Sequence, residues 1–110
     1  MSYAQRIYPK NPIYESFTDR LEEEIRHPQQ GISEPIIVLE SQGQKVPTHL
    51  YIIWSEWGEL TQLERSEIAL EAFAQAKGTG VASNLRVALG LTPEEAKRMG
   101  IEYAPLEAAV

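Results

Sequence analysis

Two short apolar runs constrain this chain more than any other feature: Pro35 to Glu40 (PIIVLE) and Thr48 to Trp54 (THLYIIW). Each has the length and the β-branched content of a strand. Between them Ser41-Gln42-Gly43-Gln44 supplies turn residues, with Gly43 suited to a positive φ. The pair therefore reads as a hairpin. A hairpin with one wet face alternates apolar and polar positions, whereas both runs are almost continuously apolar. A sheet built on them needs cover over at least part of each face, from the rest of the chain or from a partner.

Helices are the available cover. Phe17, Leu21 and Ile25 recur at helical spacing and make a narrow apolar stripe. Ser16 is a suitable cap for this helix, Asp19 suits its first turn, and Pro28 stops it. Ahead of it, Pro9 and Pro12 read as breakers, so residues 1–15 form an arm with Tyr3, Tyr8 and Tyr14 interspersed with Arg6 and Lys10. A longer helix is predicted from Gln62 to about Ala76, opened by the capping box Thr61–Glu64 and closed by Gly78. Its core side is expected to hold Leu63, Ser66, Ala69, Leu70, Phe73 and Ala74. Glu64, Glu67, Glu71 and Gln75 lie opposite, as a solvated face or as a surface for a basic partner.

Lys77 to Gly80 reads as a flexible connection. It leads into a strand, Asn84 to Gly90, that alternates Leu85, Val87 and Leu89 with Arg86, Ala88 and Gly90. The closing stretch TPEEAKRMG is accounted for by helix ends alone. Thr92 caps, Pro93 takes the first helical position, and Glu95 completes a capping box. Leu91 and Ala96 can staple, Lys97 and Arg98 suit the C-terminal dipole, and Gly100 fits the position after the helix.

The order α-β-β-α-β-α, joined by a right-handed crossover, predicts an α+β fold: a two-layer sandwich of a three-stranded mixed sheet with helices on one face. The 110 residues suit one domain, expected at 16–103, followed by a tail at 104–110. Ile101 and Tyr103 are the residues expected to dock the chain's end. The other face of the sheet would invite a partner or a second copy.

The composition narrows the chemistry. Without cysteine there are no disulfides and no thiolate-built zinc or iron–sulfur sites. A net charge of −6, from 16 acids against 10 bases, argues against nucleic acid as a partner. The first 17 residues lack a signal-peptide core and no apolar run is long enough to span a bilayer, so the cytoplasm is the expected location and no membrane partner is expected. Neither histidine has a ligand set around it: Glu23 and His27 stand one helical turn apart with nothing to complete a zinc site, and His49 is alone. No serine sits in a nucleophile-elbow context, and Gly78-Thr79-Gly80 is not a phosphate loop. One constellation stands out in WSEWGEL, where Trp54, Glu56, Trp57 and Glu59 could line a small pocket for a sugar or a cation, although exposed loop acids are the commoner outcome.

The run His49 to Glu95 resembles the BolA-like proteins, whose fold is related to the type II KH domain. His49 heads the second strand as in that family, Leu63-Glu64-Arg65-Ser66-Glu67-Ile68 resembles its helix-start segment, and Leu85 to Glu95 resembles its third strand and T-P-E-E close. The resemblance implies the same α+β topology and draws attention to Arg65 and Ser66. The family's helix histidine, a ligand of a shared iron–sulfur cluster, aligns with Ser66, and its hairpin ligand has no counterpart in Gln42 to Val46. A KH-type G-x-x-G loop is also missing. No cofactor and no metal site is therefore expected. The leading expectation is a non-catalytic protein-interaction or regulatory module, with a protein partner or self-association. The alternatives are a KH-type nucleic-acid-binding regulator and a small ligand binder or enzyme using the Trp/Glu pocket at 54–59.

Overall fold

A computed structural model describes residues 12–28, 33–41, 43 and 45–101. The element order is α1 (Pro12–Arg26), β1 (Ile36–Glu40), β2 (His49–Ile53), a 3-10 turn (Ser55–Trp57), α2 (Gln62–Lys77), the single-turn α3 (Thr79–Ala82), β3 (Val87–Leu91) and α4 (Pro93–Arg98). The sheet order is β1-β2-β3, with β1 antiparallel and β3 parallel to the central strand. This is the expected mixed sheet of an α+β fold. Among the described residues, no helix is long and apolar enough to cross a membrane.

Register and strand alternation assign the two faces of the sheet. On the first face lie Ile37, Leu50, Ile52 and Ala88, against Leu21 and Ile25 of α1 and Ile68, Ala69, Ala72 and Phe73 of α2. Trp54 and Trp57 close this layer where β2 ends. On the second face lie Ile36, Val38, Tyr51, Ile53, Val87, Leu89 and Leu91. There Ile53 and Leu91 are buried with Ala96 of α4, whereas Val38, Val87 and Leu89 are only half-buried.

Several boundaries differ from the sequence expectations, each for a physical reason. The first helix starts at Pro12, a turn ahead of Ser16. Proline's fixed φ suits a first helical position, so Pro12 opens the helix it was expected to break. The Lys77–Gly80 connection includes a helical turn, with Ala82 N–H donating to Gly78 O and Ser83 N–H to Thr79 O. The third strand runs from Val87 to Leu91, because Arg86 N–H and Val87 N–H both reach back to Thr48 O and start the parallel ladder there.

The buried face of α2 is also rotated from the expected one. Arg65, Ile68, Ala69, Ala72 and Phe73 are inside, while Leu63 is 69% and Leu70 39% exposed. The packing of α2 against both α1 and β3 selects its buried face and leaves these two leucines outside it. The arm's residues 1–11, the turn residues Gln42 and Gln44, and the tail beyond Ile101, with Tyr103, lie outside the described residues.

The predicted ends of α2 and α4 form. Thr61 and Thr92 each accept a hydrogen bond from the backbone N–H three residues on, and the Glu64 and Glu95 carboxylates each accept one from the cap N–H. After α4, Gly100 takes φ 71°, Gly100 N–H donates to Lys97 O, and Ile101 N–H donates to Ala96 O. That bond pair is a Schellman closure. It places Ile101 against the second-face cluster beside Ala96.

Candidate functional site

The aromatic segment between β2 and α2 is built into the core. Trp54 and Trp57 are each 1% exposed, and they meet edge to face at 5.4 Å. Phe17 of α1 completes the group, 5.0 Å from Trp54 and 5.8 Å from Trp57. The one polar atom of the Trp57 ring, Nε1–H, donates to Ile52 O at 2.9 Å. Glu56 is exposed and pairs with Arg20 at 2.6 Å, and that guanidinium lies 4.9 Å from the centre of the Trp54 ring. Glu59 is exposed. The two indoles of the proposed pocket are thus packed against each other and against Phe17, while its two carboxylates sit outside them.

Arg65 and Ser66 have structural partners. Arg65 is buried, and its guanidinium donates to Leu60 O at 2.8 Å, Gly58 O at 3.0 Å, Gly90 O at 3.2 Å and Glu95 Oε1 at 2.8 Å. One side chain thereby ties α2 to the turn before it, to β3 and to α4. A buried arginine persists only with its donors satisfied in this way. Glu95 is held well below the ordinary carboxylate range, at about 2. The first cause is the hydrogen bond from the Thr92 backbone; burial opposes it, and the hydrogen bond and charge of Arg65 add to the lowering. The position of Arg65, three, four and seven residues before the buried Ile68, Ala69 and Ala72, is the sequence sign that it faces inward.

The same helix closes one edge of the sheet. Gly90 N–H donates to Gln62 Oε1 at 3.0 Å, Arg65 donates to Gly90 O, and Ser66 Oγ–H donates to Ala88 O at 2.7 Å. A close approach makes this possible: a Cβ at Gly90 would stand 2.7 Å from both the Arg65 Cβ and the Trp57 ring. A glycine inside a strand is the sequence mark of such an approach.

The second sheet face carries a short polar margin beside its apolar grid. Glu40 lies across from His49, and Tyr51 is next along the same face. Burial, and then the Glu40 carboxylate, push the Tyr51 phenol above its ordinary range. His49 Nδ1 is 2.8 Å from Thr48 Oγ1. An open cleft of about 570 Å³ lies between α1 and the start of β1, lined mainly by Asp19, Arg20, Glu23, Glu24, His27 and Glu34. Its lining is engaged in part: Arg20 with Glu56, Glu34 with the N–H and hydroxyl of Ser55, and Glu23 with His27 at 4.0 Å. Among the described residues, no three His, Cys, Asp or Glu side chains converge to hold a metal ion.

Compared with protein-family models, with curated proteins and with solved structures, the chain matches none.

Proposed function

We propose that this chain acts by binding, as a small cytoplasmic protein-interaction or regulatory module that carries a protein partner on the second face of its sheet. The observation behind this reading is the half-buried apolar grid of Val38, Val87 and Leu89, beside the buried Tyr51. A contiguous apolar surface with a polar margin is what an interaction site requires. The polar groups closest to the core support the same view. Arg65, Ser66, Glu95 and Trp57 Nε1–H are each engaged in tying elements together. We read the chain as a BolA-like arrangement in which Ser66 replaces the cluster-binding histidine, with its hydroxyl committed to the edge of β3.

Affinity capture from the native host's lysate, with and without nuclease, tests the proposal when wild type is run beside Val87→Lys. A protein recovered in both conditions by wild type and lost with Val87→Lys is the expected result. Recovery that disappears with nuclease would sink this reading in favour of nucleic acid, and recovery unaffected by Val87→Lys would remove the sheet face from it. Circular dichroism of the variant checks that it remains folded.

A further inference from the structure

The two edges of the sheet are unequally protected. At β3, Gln62, Arg65 and Ser66 of α2 engage the outward Ala88 O and the N–H and O of Gly90. At the opposite edge, β1 pairs with β2 and with no other strand among the described residues. Ile36, Ile37 and Val38 are half-buried there, and Leu39 is 44% exposed. Natural edge strands are blunted by short length, by charged side chains, lysine above all, by proline, by a bulge or by a covering helix or loop. β1 has one charge, Glu40 at its end. Ile36–Glu40 contains no lysine or proline, and its register against β2 runs through all five residues without interruption.

We propose that β1 pairs antiparallel with β1 of a second copy, joining two three-stranded sheets across a two-fold axis. The proposal rests on the binding-module reading and adds to it a second surface, taken by a second copy of this chain. Self-complementarity argues for a second copy. With the axis at Val38, that residue meets its own counterpart, Ile37 meets the partner's Leu39, and Ile36 meets the partner's Glu40. No like charges fall opposite each other, and the exposed Leu39 gains an aliphatic neighbour on the helix-bearing face. Charge points the same way. The start of β1 adjoins a cleft where the carboxylates of Asp19, Glu23, Glu24 and Glu34 outnumber the bases Arg20 and His27, while the turn after β1 carries Lys45 beyond Glu40. Antiparallel pairing brings the basic turn of one copy toward the acidic start of the other, in a chain whose net charge of −6 otherwise opposes self-association.

Sedimentation velocity of the full chain, from low to high micromolar concentration, tests this directly. Wild type is expected to pass from monomer to dimer, and Leu39→Lys, at an exposed position, to raise the midpoint by about tenfold or more. Amide hydrogen exchange supplies a second readout: β1 amides should slow with concentration while those of β3 do not change. A monomer at every concentration would overturn the pairing. So would a dimer unmoved by Leu39→Lys whose β1 exchange ignores concentration, because that dimer uses another surface. Either result leaves the binding-module reading standing if Val87-dependent capture of another protein persists, so the two proposals can fail separately.

Discussion

At the scale of single residues, Gly90 and Glu95 carry the most specific consequences. Gly90 sits where two fixed groups converge: the Trp57 ring, anchored by its bond to Ile52 O, and the Arg65 stem, anchored by its donors. Neither can retreat without breaking a buried hydrogen bond. Gly90→Ala is therefore expected to cost about 1–3 kcal/mol by overpacking. Urea unfolding should show a lower midpoint at an unchanged slope. Glu95 gives a pH signature. Its folded pKa of about 2 lies below the ordinary 4.5, so its contribution is fully present above pH 4.5 and is lost as the pH falls toward 2. Glu95→Gln should lower the melting temperature at neutral pH and flatten the acid limb across that window, with the two proteins converging at its lower end. A thermal melt series of both proteins reads this out, and parallel acid limbs would contradict the assignment.

At the scale of elements, the two capping boxes and the apolar stripe of α1 were legible in the sequence, whereas the start of α1 and the buried face of α2 were not. A capping box needs only four consecutive residues, so Thr61–Glu64 and Thr92–Glu95 could be read before any packing was known. Thr61→Ala should cost about 1 kcal/mol, the usual worth of such a cap, seen as a lower unfolding midpoint with the fold retained. The start of α1 was misread because Pro12 has two opposite local meanings, breaker inside a helix and opener at its first position. The buried face of α2 was misread because several of its residues are small or apolar and more than one stripe is plausible. Contact with α1 and β3 decided among them, and the chosen stripe contains an arginine. The candidate site shared this limit. Trp54, Glu56, Trp57 and Glu59 are close in sequence, but a 3-10 turn sends the two rings inward and leaves the two acids outside.

At the scale of the whole molecule, the distribution of apolar surface matters most. One sheet face is sealed by α1 and α2, the other is covered at one end by α4 and Ile101, and one of two edges is occupied by side chains from α2. The half-covered face and the remaining edge are the two places where the proposed partners would bind. The sequence by itself determined that there would be a hairpin, a mixed sheet and capped helices, because these depend on residue type, on local spacing and on the order of the elements. It also determined that the sheet would need cover on both faces. Only the tertiary structure decided which face the long helices take. Strand alternation is symmetric between the two sides, and in β3 the close-packed side proved to be Ala88 and Gly90, with the bulkier Val87, Leu89 and Leu91 on the other. The cause is the close approach of α2: small residues let its arginine reach the strand backbone, and Gly90 marks such an approach without recording which element makes it.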